Sequence, residues 1–232
     1  MLKVTNVTKS YRKAKILKGI TFEAPKGMYC CVVGQNGSGK STLLQILSGM
    51  SVPDSGEVTL NGNPARSREA AREIGYVPQI DSLFGNLSAK DNIAFWASAS
   101  SVSMRSDAVE HFTQLLGISS FWKRKVRTLS GGERRRVAIC VALLHNPACI
   151  MLDEPFTGLD LVVKDELFST LDELCSAGKT ILYTTHNIDE VRIHGKLILL
   201  REGVAIDIRE DEITGDFKAL MLNLIKGELS HE

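Results

Sequence analysis

The sequence predicts an α/β fold, a mostly parallel sheet covered by helices, with a helical subdomain inserted into it. Three observations carry that prediction. Short β-branched runs alternate with stretches of helical periodicity along the chain. Several of the runs have no polar interruption, as strands buried on both faces tend to be. Strand signals then fade from about residue 80, where amphipathic helical stretches take over.

Taken in order, strands are expected at Val4 to Val7, Met28 to Val33, Glu57 to Leu60 and Ile74 to Val77. Further strands are expected at Cys149 to Leu152, Thr180 to Tyr183, Lys196 to Leu200 and, more briefly, Gly203 to Asp207. Helices are expected at Lys40 to Leu47, Ser88 to Ser98, Asp107 to Leu116, Ser130 to Leu144 and Leu161 to Ser176, with one terminal helical stretch. Ser88 followed by Asp91 has the spacing of a helix start. The chain is therefore read as one domain over 1–232, with a core lobe at 1–79 and 145–232 and the helical subdomain at 80–144. No additional regulatory domain is expected after Leu200.

Of the 232 residues, 44% are hydrophobic and the formal net charge is +1. That supports one sizeable core and leaves no long-range field for nucleic acid or an anionic bilayer. The five cysteines lie in apolar stretches without metal-ligand or disulfide spacing, and read as buried hydrophobes of a reducing cytoplasm. No stretch approaches the roughly 20 apolar residues of a membrane span, and the start lacks a secretory signal, so any membrane role is expected through a partner. The basic stretches Lys123 to Arg127 and Arg134 to Arg136 read as solvated helix faces, since few aromatics interleave with them.

Gly34, Gln35, Asn36, Gly37, Ser38, Gly39, Lys40 and Ser41 fit the pattern of glycine, four residues, then Gly-Lys-Ser, between an expected strand and an expected helix. Glycines let backbone N–H groups approach phosphate oxygens, and the helix start turns its positive end toward the same charge. Lys40 is expected to pair with the β- and γ-phosphates, the Ser41 hydroxyl to ligate Mg²⁺, and Thr42 to lie beside it. A second apolar strand, Cys149 to Leu152, delivers Asp153 and Glu154 at its carboxyl end, where open parallel sheets bind ligands. Asp153 is expected to hold Mg²⁺ and Glu154 to act on the attacking water. Leu129, Ser130, Gly131, Gly132 and Glu133 form another glycine turn before a helix, with Ser130 as N-cap.

In content and order these motifs resemble the ATP-binding cassette (ABC) family. Gly34 to Ser41 looks like its Walker A loop, Leu129 to Glu133 like its signature, and Cys149 to Glu154 like its Walker B strand with catalytic glutamate. The resemblance extends to Tyr11 as the ring stacked on adenine, and to Gln79 as the glutamine that reaches Mg²⁺ and the attacking water. It likewise makes Asp160 the acid that communicates between subunits and His186 the histidine at the γ-phosphate. It implies a P-loop NTPase core with an antiparallel β portion near the N-terminus. It also implies ATP and Mg²⁺ sandwiched between two head-to-tail subunits, homodimeric or heterodimeric, each signature turn completing the other subunit's site.

The function implied is the ATP-hydrolysing subunit of a transporter, export favoured, working on a separate membrane-spanning subunit from the inner face of the cell membrane. The alternative is a soluble ABC ATPase of iron-sulfur cluster assembly or nucleic-acid remodelling. An unrelated P-loop kinase or GTPase leaves Leu129 to Glu133 unexplained. Three departures from the family pattern stand out. Glu133 replaces glutamine and is expected to bring an extra acid toward the other subunit's nucleotide. Thr157-Gly158 replaces serine-alanine. The segment Arg192 to Lys196 lacks the usual Asp-Arg.

Overall fold

The computed structural model describes residues 1–192, 195–209 and 217–226; Ile193 and His194 of the departing segment lie outside the described residues. Two sheets organise it. Four antiparallel strands run in the order β2 (Ala14–Ala24), β1 (Leu2–Tyr11), β4 (Ser55–Leu60), β5 (Asn63–Pro64). Six strands form the other sheet in the order β10 (Val204–Ile208), β9 (Lys196–Arg201), β3 (Tyr29–Val33), β8 (Thr180–Thr185), β7 (Cys149–Leu152), β6 (Ile74–Val77). All its pairings are parallel except β10 with β9.

The uninterrupted apolar runs follow from burial on both faces of the larger sheet. Cys30, Val32, Met151, Leu182 and Ile198 pack with α1 (Lys40–Leu47) and the smaller sheet. The alternate residues Cys31, Val33, Ile150, Leu152, Tyr183 and Leu199 face a second core. That core includes side chains of α5 (Gly131–Leu143) and α6 (Leu161–Ser176), and of α3 (Ala89–Ala99) and α4 (Asp107–Leu115). A two-residue side-chain period thus serves two cores from one strand. Four cysteines are buried and Cys175 is half-buried, all unpaired; burial pushes the thiols of Cys31, Cys140 and Cys149 up to about 12.

Between β6 and β7 the described elements are α3, α4, α5 and two short 3-10 turns, with no strand among them. Ser88 caps α3 through a reciprocal box with Asp91, as the spacing predicts. Besides the short 3-10 turns, three described elements lie outside the sequence expectations: β2, β5 and the short helix α2 (Arg68–Glu73), capped by Ser67. The last of the described helices, α7 (Phe217–Lys226), follows β10.

The parallel register sets the site. Val33 lies opposite Thr185, Leu152 opposite Tyr183, and Val77 opposite Leu152, so β3, β8, β7 and β6 all end at one edge. The chain leaving those ends carries Gly34, His186, Asp153 with Glu154, and Gln79.

Candidate nucleotide site

The loop from Gly34 to Gly39 wraps over the end of β3 and hands the chain to α1. Its glycines are required by backbone, not by chance. Gly37 and Gly39 have φ of 81° and 105°, in the left-handed region. A Cβ on Gly34 would lie 2.4 Å from the Leu200 carbonyl oxygen. The loop curls around the Lys40 side chain, whose ammonium donates to the carbonyls of Gly34 (2.9 Å) and Gln35 (3.0 Å) and pairs with Glu154 Oε1 at 3.3 Å.

Glu154 is 6% exposed and has φ of 46°, a costly backbone for a residue with a side chain. Thr184 holds this conformation from β8: its hydroxyl accepts from the Glu154 N–H (2.9 Å) and donates to Asp153 Oδ1 (2.7 Å). The second Glu154 oxygen accepts from Gln79 Nε2 (3.3 Å) and Thr157 Oγ1 (3.2 Å) and lies 3.2 Å from His186 Nδ1. Burial works against charge on Glu154, but Lys40 and the His186 hydrogen bond outweigh it and hold the carboxyl below the usual carboxylate range.

These groups line a cleft of about 600 Å³ with Tyr11, Ile16, Asn36, Gly37, Gly39, Ser41 and Thr42. The start of α1, a lysine and a hydroxyl thus sit opposite a carboxylate, an amide and an imidazole. Such a cleft can cradle a polyphosphate and present a base to water beside it. Tyr11 lies at its margin, 47% exposed. Gly34, Gln35 and Ser38 belong to the loop without lining the cleft; the Ser38 hydroxyl is buried with no partner. Asp153, 2% exposed, sits behind it against Thr184. Thr184 and Ile16 carry no signal in the sequence, where no spacing links them to the loop, and Thr157 is read there only as a departure from the family pattern.

Ser130, Gly131, Gly132, Glu133 and Asp160 do not line this cleft. Gly131 lines an adjoining depression of about 290 Å³ that shares Gln79 and Thr157 with it. Ser130 caps α5 in a reciprocal box: its hydroxyl accepts from the Glu133 N–H (3.2 Å), and Glu133 Oε2 accepts from the Ser130 N–H (2.8 Å). Arg124 reaches the other Glu133 oxygen at 2.7 Å. Within its own chain this carboxylate is turned back onto the helix start and held by Ser130 and Arg124. Asp160 caps α6, accepting from the Val163 N–H at 3.0 Å.

The basic run also differs from a solvated face. Arg134 pairs with Asp81 at 2.9 Å, and Arg136 pairs with Glu166. Arg135 donates to the carbonyls of Pro78, Gln79 and Glu154. Each arginine has partners far away in sequence, which a local charge pattern does not reveal.

A family model described as ABC transporter matches residues 17–157. The chain is 35% identical over 196 residues to the linearmycin resistance ATP-binding protein LnrL of Bacillus subtilis, covering 82% of this chain and 63% of that one. It is 37% identical over 201 residues to the molybdate/tungstate import ATP-binding protein WtpC of Methanocaldococcus jannaschii, covering 85% and 66%. The match thus spans just under two thirds of the length of these relatives. A solved structure of the ATP-binding cassette MJ0796, dimeric and bound to ADP and Pi, superposes with a TM-score of 0.81 at 28% identity, covering 90% of this chain and 99% of that one.

Proposed function

The chain belongs to the ABC transporter family, and from that premise we propose that it binds and hydrolyses ATP to power a transporter through a separate membrane-spanning subunit. One observation carries the reading: Lys40 and the start of α1 share a single cleft with Gln79, Glu154 and His186. The triphosphate would lie along Gly34 to Thr42, with adenine against Tyr11. Glu154 would take a proton from the attacking water, Gln79 would orient that water, and His186 would contact the γ-phosphate.

The donors present fit a Mg²⁺ ion. Among the described residues no group of three or more His, Cys, Asp or Glu could hold a metal, and Mg²⁺ takes most of its ligands from water and phosphate. Ser41 and Gln79 would supply a hydroxyl and an amide from the cleft, and Asp153 a carboxylate behind it. The ion would neutralise charge on the β- and γ-phosphates.

Lys40 has three N–H donors, two of them on loop carbonyls and one facing Glu154. A phosphate that takes the third takes it from Glu154, which frees the carboxylate for water. The signature turn, exposed at Ser130 and Gly131 and outside its own cleft, would serve a second subunit, as the MJ0796 dimer supports. Among the described residues no helix is long and apolar enough to cross a membrane. A groove of about 620 Å³ lined by Met50, Ile80, Leu83 and Trp96 would receive the membrane subunit, with Met50 71% and Ile80 85% exposed.

For direction we propose export, on the likeness of Glu154 to Asp160 to export-type subunits and of the chain to a resistance protein. Likeness to an import protein makes import the second reading. Purification of the full chain from a detergent extract tests the proposal. A co-purifying hydrophobic multi-span protein is the expected result and its identity gives the direction; a ribosome or a cluster scaffold in its place overturns the transport reading.

A further inference from the structure

We infer that Arg135 is a positioning residue for hydrolysis, holding the backbones of Gln79 and Glu154 in register from the helix that the signature turn begins. The inference rests on the reading of Glu154 as the base. Arg135 lies in the second turn of α5, five residues after Ser130. Its guanidinium donates from Nη1 to the Pro78 carbonyl at 3.1 Å and from Nη2 to the carbonyls of Gln79 and Glu154, both at 3.4 Å. One rigid, planar fork therefore spans the ends of β6 and β7 at the two residues whose side chains meet in the cleft.

Two physical points make this more than packing. Glu154 needs help to keep its left-handed backbone, and it receives help on both sides: Thr184 accepts its N–H and Arg135 holds its carbonyl. Arg135 is also partly buried and has carbonyl oxygens, not carboxylates, as its hydrogen-bond partners. Burial opposes its charge, while Asp81 and Asp153 at longer range favour it. A buried cation kept for backbone carbonyls fixes geometry more than it adds stability. The hydrogen bonds of Arg135 reach neither Lys40 nor the glycine loop, so it acts on the cleft through Gln79 and Glu154.

The test compares the full chain with Arg135→Met, which keeps an unbranched stem, and Arg135→Lys, which keeps charge without the fork. Measured are kcat and KM for Mg-ATP, affinity for a fluorescent ATP analogue, melting temperature, and light scattering with ATP. In Arg135→Met we expect kcat to fall about tenfold or more with KM and affinity within about twofold, and an ATP-loaded dimer to accumulate. Arg135→Lys should fall between. Wild-type kcat in Arg135→Met overturns the inference. So does a kcat loss that comes in both variants only with equal loss of affinity or of melting temperature, which would make Arg135 structural. Failure of the wild-type chain to hydrolyse ATP sinks the proposed function itself, a separate outcome.

Discussion

Glu154→Gln is the perturbation that separates the chemistry of the cleft from its binding. The substitution keeps shape and removes one charge, so two effects of opposite sign are expected. Loss of the base should lower turnover about 10²- to 10⁴-fold. Binding should tighten. At 3.3 Å the Lys40–Glu154 attraction is about 5 kcal/mol at an effective dielectric constant of 20. Desolvation offsets most of that, and a hydrogen bond between charged groups nets about 1.5 kcal/mol. A phosphate must displace this contact from Lys40 in the wild type but not in the variant. ATP affinity should therefore rise about tenfold. Phosphate release measures the first effect, equilibrium titration the second, and light scattering the ATP-loaded dimer that should accumulate. Unchanged turnover removes Glu154 from the reaction. Unchanged or weaker affinity refutes the competition between carboxylate and phosphate for Lys40.

Two further outcomes are expected. Lys40→Ala should lose tight ATP binding and Ser130→Arg should lose hydrolysis, yet an equal mixture should recover about a quarter of wild-type turnover, since half the dimers hold one intact composite site; no recovery in the mixture contradicts reciprocal sharing. Arg124→Ala should raise the ATP concentration needed for half-maximal dimer by a few-fold while leaving the melting temperature nearly unchanged, because an exposed pair is worth about 0.5 kcal/mol; Glu133→Gln on that background should restore it, and failure of the rescue sinks the charge-compensation argument.

What the sequence made legible follows from how locally each feature is encoded. The ends of β6, β7, α1 and α6 agree with the periodicity because burial on both faces of the large sheet, or a capped amphipathic helix, writes itself into neighbouring residues. The glycine loop was readable for the same reason, its backbone demands falling within six residues. β2 is not legible because a register shift at Gly19 breaks the alternation of buried Leu17, Ile20, Phe22 and Ala24 with exposed Lys18 and Glu23. The local sequence reads Arg135 as solvated because its partners lie 57, 56 and 19 residues away. Thr184 is equally silent, a hydroxyl in an apolar strand that becomes informative only when β7 lies beside β8.

The two signature glycines, given a common purpose by their position before a helix, have different reasons to be glycine. A Cβ on Gly132 would lie 2.6 Å from Val163 Cγ1, in the first turn of α6. A Cβ on Gly131 would meet only Leu159 at an ordinary 3.7 Å. Gly132 therefore lets α5 approach the helix that Asp160 caps, and packing alone forbids a larger residue there. Gly131 has no such constraint; under the proposed shared site, a bare backbone there would leave its N–H open to a second subunit's nucleotide. The capping box engages the N–H groups of Ser130 and Glu133, while those of Gly131 and Gly132 have no partner within the helix. If the signature turn serves a second subunit as proposed, the N–H of exposed Gly131, beside a carboxylate paired with Arg124, is the donor that would meet a negative charge. On that proposal Glu133 would occupy the glutamine's position without repelling an anion only while Arg124 holds it, which ties the departure in the motif to a residue nine positions before it.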